Sequence, residues 1–204
     1  MPTTPTAKNY DVKHIHQGPG DLWLISPAPV DSVAPLVTLA VDGSPDATTF
    51  PTAVHLGALD SAVTISVKPK IEDITVDQFA GPVAQYLTAE EMSIEADFVQ
   101  LDPKIMQNLM PFCVFSTQAT PGYNLLTFGD QPLPAVGQCV AFISPKRAVV
   151  GCFIVSVLFA AIGTLGLSTA IGRAKKSSYK GTFKGLTDPT RTAGRRIGLV
   201  YETL

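Results

Sequence analysis

Apolar and polar residues alternate with a period of two along several stretches of this chain, most clearly in its middle. There Met92, Ile94, Ala96 and Phe98 alternate with Glu91, Ser93, Glu95 and Asp97. Such a period belongs to a strand with one face in a core and the other wet. AVTISVK (62–68) repeats it, with Val63, Ile65 and Val67 set against Thr64, Ser66 and Lys68. Further strands are predicted at DLWLI (21–25), at VAPLVTLAV (33–41, closed by the turn DGSPD) and at IEDITVDQF (71–79). QYLTAEEMSIEADFV (85–99) is one long strand, about twice the usual length. Short strands and proline turns fill 111–145, and SSYKGTFKGL (177–186) and RRIGLVYETL (195–204) close the chain around the turn TDPTRTAG.

One segment breaks the period of two. In DPKIMQNLMP, Asp102 suits an N-cap, Pro103 the first helical position and Pro111 a stop. Ile105, Met106, Leu109 and Met110 then form one apolar stripe. A single short amphipathic helix is expected, lying on the sheet. Sixteen of the seventeen prolines precede Lys146, and a density that high favours strands, turns and extended arms over helices. The expected organisation is an extended arm over 1–20 and one β-rich domain over 21–204, a sandwich or barrel with one flanking helix.

The run from Ala148 to Gly172 is different, with 25 uncharged residues between basic flanks. Its length suffices to cross a membrane as a helix. Its composition favours a buried strand: VVGCFIVSVLF is rich in β-branched and aromatic residues, and four glycines punctuate the run. The basic flanks are symmetric and set no orientation. The expectation is a buried strand rather than a membrane span, with a single-span anchor as the alternative.

Only 16% of residues are charged, a composition suited to a chain that hides much of its surface against other copies of itself. The net charge of −2 gives no overall bias toward nucleic acid. Its distribution is uneven, with nine of seventeen acids between Asp60 and Asp102 and ten of fifteen bases between Lys146 and Arg196. An acidic middle and a basic C-terminal third could meet between subunits, with Lys175, Lys176, Arg195 and Arg196 as candidates.

Catalytic and metal chemistry find no foothold. Three cysteines (113, 139, 152) have no CxxC spacing and read as buried thiols. His14 and His16 lack the acid or cysteine partners a metal site needs. Glu90, Glu91, Glu95 and Asp97 lie along one strand rather than converging from separate elements, so they form a wet face and not a hydrolytic pair. The first residues, MPTTPTAKNYDVKH, lack the apolar core of a secretory signal, so an intracellular setting is expected. No cofactor, no metal and no enzymatic activity are expected.

The segment IEDITVDQFAGPVAQYLTAEEMSIEADFVQLDPKIMQNLM resembles the core of the tail tube (major tail) proteins of long-tailed bacteriophages. The resemblance is carried by Asp77 and Gly81–Pro82, by Thr88 to Ile94 and by Leu101 to Met110. SYKGTFKGLTDPTRTAGRRIG resembles that family's closing strand, turn and final strand. The resemblance implies a β-sandwich or barrel with a flanking helix, whose strands join those of neighbouring subunits in a hexameric ring. Stacked rings would enclose a lumen that holds the tape-measure protein and then conducts DNA into the host, without sequence-specific binding. It implies a virion structural role, with assembly in the host cytoplasm. On that reading the inner wall comes from 71–79 and 85–99, with Asp73, Thr75, Asp77, Glu91, Ser93, Glu95 and Asp97 facing the lumen. Two other readings stay open: the single-span membrane protein, and a capsid-associated or tail-completion protein of related fold.

Overall fold

A computed structural model describes residues 20–26, 29, 37–75, 81–99, 102–120, 122–129, 132, 137–146, 151–165 and 178–203. The expected arm over 1–20 lies outside them except for Gly20. The described chain is mainly β, with a large antiparallel sheet, a separate two-stranded hairpin and one short helix. The strands are β1 (Asp21–Ile25), β2 (Val54–His55), β3 (Thr64–Thr75), β4 (Pro82–Phe98), β5 (Cys113–Gln118), β6 (Tyr123–Phe128), β7 (Gln138–Pro145), β8 (Phe153–Leu165), β9 (Tyr179–Gly185) and β10 (Gly198–Glu202). Helix α1 (Pro103–Leu109) follows β4. In the main sheet the order is β2-β1-β7-β8-β9-β4-β3, and β10 adds to β8; among the described residues β5 pairs only with β6.

The apolar run at 148–172 resolves into β8 over its described residues. Its alternation is weak because both faces are buried. Val155, Val157 and Phe159 join Cys139, Ala141 and Ile143 of β7, with Ile25, Val37 and Phe50, in one cluster. Leu158 and Ala161 join Val140 in another, with Leu22, Leu24, Leu56, Ile94, Ala96, Phe98 and Phe183. A strand buried on both sides reads as a continuous apolar run, whatever the direction of its neighbours. The second cluster draws on both ends of the strand order, so the sheet curls over it. An antiparallel bridge between Leu59 and Phe98 draws those ends together. The result is an open, sandwich-like β fold. No helix among the described residues is long and apolar enough to cross a membrane.

β8 changes partners halfway along. Residues 154–158 pair with β10, and 161–165 pair with β9 on the same edge. Between them β7 shows a register shift, where Gln138 faces Ala161 but Val140 faces Leu158. The extra residue in β8 is a bulge, and it moves Phe159 and Ala161 to opposite faces. Ile197 and Leu186 bond the backbone of Phe159 and Ala160 there, so the sheet forks at the bulge. Gly198 sits in the fork: a Cβ on it would run into the Val157 backbone carbonyl oxygen and come within 2.7 Å of the Met92 sulfur. A glycine is needed because the backbone itself fills the contact.

The helix forms as its sequence dictates. Asp102 accepts the Lys104 N–H at 2.8 Å, Pro103 opens the first turn, and Leu109 and Met110 are buried. Ile105 and Met106 pack at the edge of the same cluster. The expected strand at 33–41 is absent from its described part; Leu39 makes only an isolated bridge to Pro45. That segment is anchored through a side chain instead, with Val37 and the Tyr201 hydroxyl exchanging hydrogen bonds of 3.0 and 3.1 Å. The C-terminal turn is anchored by Arg191. Its guanidinium lies 3.7 Å from the Phe159 ring centre, and it donates to Asp188 (3.1 Å) and to the Pro29 carbonyl (2.7 Å).

Candidate assembly surface

The long strand of the sequence is longer still in the structure, and most of it leaves the body. β3 and β4 pair along the whole of β3, from Thr64↔Glu95 to Thr75↔Pro82. β9 pairs β4 only from Ser93 to Phe98. Between Pro82 and Met92, therefore, β4 has a partner on one edge alone among the described residues, and β3 is the edge strand of the sheet. Every residue of β4 from Pro82 to Glu91 is exposed. Exposed edges of this length are templates for pairing with another chain.

The hairpin is amphipathic. One face continues the core outward, through Ile65 beside Ile94 and Val67 beside Met92, to Ile71 beside Leu87. Nothing among the described residues covers its outer part: Val67 is 61% exposed, Ile71 55% and Leu87 51%. The opposite face is polar. Glu91, Ser93, Glu95 and Asp97 all lie on it, as their alternation predicts, with Met92, Ile94, Ala96 and Phe98 buried behind them.

Asp73 and Thr75 do not join that face. With Thr64 opposite Glu95, the even-numbered residues of β3 share the carboxylate face. That places Lys68, Lys70, Glu72 and Ile74 there, and Asp73 and Thr75 on the other side. β3 absorbs no shift of its own; the irregularities fall in β4, where Thr88 and Val83 are skipped in the pairing. The apolar character of Ile74 argues for the opposite assignment only if that face must be polar to its end, and in this exposed hairpin it is not. Asp73 accepts from Gln85 at 2.8 Å, and Glu72 from the Tyr86 hydroxyl at 3.0 Å. Asp77, Lys175 and Lys176 lie outside the described residues.

The carboxylate face is not an uncompensated acidic wall. β9 sets Lys180, Thr182 and Lys184 beside Asp97, Glu95 and Ser93, and β3 sets Lys68 beside Glu91. Lys180 reaches Glu95 at 2.7 Å and Lys184 reaches Glu91 at 3.2 Å, while Asp97 accepts from the Ser61 hydroxyl at 2.8 Å. The hydrogen bond and charge of Lys180 hold the Glu95 carboxyl below its ordinary value, and Glu95 raises Lys180 in return. The acidic middle and the basic C-terminal third thus meet within one chain, across the β4–β9 ladder, where an encounter between subunits was the expectation. SYKGTFKG carries the signal for this: its lysines alternate with Tyr179 and Phe183, placing both on the wet face. Arg195 and Arg196 are exposed on the C-terminal turn, where the Arg196 Nε donates to the Arg191 carbonyl at 3.2 Å.

Between the hairpin and that turn runs a groove of about 610 Å³, lined by Leu87, Thr88 and Glu90 on one wall and by Ala193, Arg196 and Ile197 on the other. A smaller space of about 170 Å³ continues it past Val67 and Met92 to Leu199. Among the described residues no three His, Cys, Asp or Glu side chains gather as metal ligands. Cys113 and Cys139 are core residues, and burial pushes the Cys139 thiol up to about 12, whereas Cys152 is only half-buried and lies in neither cluster. Fold and surface together define a mainly β protein with a two-faced, unpartnered hairpin. No family model matches the chain, and no curated protein matches it.

Proposed function

We propose that this chain is the repeating structural subunit of a bacteriophage tail tube. The observation that carries the reading is the β3–β4 hairpin, which among the described residues has an uncovered apolar face, a polar face and unpaired edges on both of its strands. A lone chain gains nothing from holding such a hairpin in water. In a ring, the edges of one copy join those of the next, closure removes every free edge, and the apolar face is buried between copies. The polar face, with Glu91, Ser93, Glu95 and Asp97, then lines the lumen. Its four carboxylates, Glu72 among them, are balanced by Lys68, Lys70, Lys180 and Lys184, so the wall is close to neutral. DNA phosphate finds neither a grip nor a strong barrier there, which suits passage without binding. A hexameric ring, a tape-measure protein in the lumen and assembly in the host cytoplasm belong to this reading and rest on the family resemblance.

The membrane-anchor reading loses its main support, because Phe153–Leu165 is a β-strand inside the sheet and not part of an apolar helix. The test is direct. The protein purified without detergent should form rings or tubes visible by negative-stain microscopy and sediment as an oligomer. A chain that stays monomeric at high concentration, or that leaves the membrane fraction only with detergent, overturns the proposal.

A further inference from the structure

The fork in the sheet leaves two strand edges facing each other across a wedge. β9 and β10 lie one after the other along the same edge of β8, both antiparallel to it. β4 pairs the far edge of β9 from Ser93 to Phe98, so its continuation toward Pro82 runs alongside β10 and antiparallel to it. The two meet at the apex, where the Met92 side chain abuts Gly198 and the Met92 carbonyl abuts Gly185. Past Met92 they part. Between them lies the space lined by Glu90, Met92, Gly198 and Val200, which opens into the larger groove holding Leu87 and Arg196. Among the described residues, neither β10 nor the outer β4 has a partner on the edge turned to this wedge.

We infer that the outer half of β4 closes onto β10 in the unassembled chain, an internal zip that hides both edges until a neighbouring copy takes the place of β10. The strands already run antiparallel and touch at one end, so closure extends the β4–β9 ladder with no new loop to close. The pairing in β4 skips Thr88 and Val83, irregularities at which a strand bends. Glu90 stands on one wall and Arg196 on the other, so the approach brings opposite charges together. It also draws Leu87 and Val200, 51% and 55% exposed, toward one another and out of water. An open edge of this length is a template for indiscriminate pairing, and a partner within the chain removes it. Closure needs only this chain; its role as a guard rests on the self-assembly reading above.

The test is a disulfide between Leu87→Cys and Val200→Cys, which forms only when the two Cα atoms come within about 7 Å. Both positions are exposed, so the fold should survive, as checked by thermal melting; Thr88→Cys stands in for Leu87→Cys if it does not. The full chain is oxidised at a dilution where it sediments as a monomer. Peptide mapping should find residues 87 and 200 joined within one chain. Adding Glu90→Arg should slow the joining by about fivefold, and adding Arg196→Glu to that should restore the rate. Cysteines that stay reduced in a folded variant overturn the inference, as does a rate that ignores Glu90→Arg. The oxidised chain should then form no rings or tubes until a reductant is added. Oxidised protein that assembles as readily as reduced protein overturns the guarding role. A wild-type chain that never assembles overturns the tube proposal and leaves closure to stand on the disulfide.

Discussion

β8 and the outer half of the β3–β4 hairpin are both long antiparallel strand segments rich in apolar residues, yet their surroundings are opposite. β8 is clasped by β7 on one edge and by β10 and β9 on the other, with core on both faces, and Val155, Val157 and Leu158 are fully buried. Among the described residues the outer β4 has one neighbour and no core, and Val83 and Leu87 are about half exposed. Hydrogen bonding alone defines a strand; burial decides whether the strand stabilises the monomer. Removing apolar surface from water is worth about 25 cal/mol per Å², so the body holds the folding energy and the hairpin holds apolar area still free for association.

Substitution should separate the two regions most sharply. Val157→Asp puts a carboxylate into the fully buried apolar cluster of Ala141, Val155 and Phe159. The expected loss is about 3 kcal/mol or more, a large part of the stability of a domain this size. Melting followed by circular dichroism should show a collapsed transition or no folded protein at all. Ile71→Lys on the hairpin inverts this pattern. The monomer's melting should stay within about 0.5 kcal/mol of the parent, as for other surface changes, while sedimentation shows assembly abolished. A similar loss of monomer stability from both would erase the distinction.

The same contrast explains what the sequence discloses. The helix was legible because its stop and start signals are local: Asp102, Pro103 and Pro111 act on neighbouring backbone. The core face of β4 was legible because Met92 to Phe98 alternate against one buried layer. The face of Asp73 was not, since it depends on which residue of β3 sits opposite Glu95, a pairing made across the turn. The membrane-like length of 148–172 was ambiguous for the opposite reason, because a strand with core on both sides has no polar period to show. The neutrality of the carboxylate face depends on β9, eighty-odd residues away in the chain and adjacent only in the sheet.

That neutrality can itself be altered. Replacing Glu95 and Asp97 with Lys leaves Glu91 and Glu72 as the carboxylates among six lysines on the face. The assembled variant should then retain duplex DNA with an affinity that falls steeply as salt rises, because each neutralised phosphate releases counterions. Assembled wild-type protein should show little retention under the same conditions in a filter-binding titration. Equal retention by both places this face somewhere other than the lumen. The substitution should disturb folding little, as these side chains contribute no core.

The smallest effect concerns the ion pair between Lys180 and Glu95, which belongs to the wet face and not to either cluster. Lys180 donates to Glu95 and lowers its carboxyl from the ordinary 4.5, and Glu95 raises Lys180 from its ordinary 10.5. A depressed acid stabilises the fold above its ordinary value and loses that contribution as pH falls through the depressed one. A raised lysine contributes below its ordinary value and loses that contribution as pH rises through the elevated one. The pair therefore contributes fully between about pH 5 and 10 and fades on both sides. Both groups are solvent-exposed, so salt screens the interaction and the contribution is slight. Comparing the melting temperatures of wild type and Glu95→Gln across pH at low salt should give a small, level difference within that window, shrinking below pH 4.5. A difference that is unchanged in acid would mean that the stability of the β4–β9 ladder comes from its backbone and from Phe183 beneath it, with no contribution from the charges above.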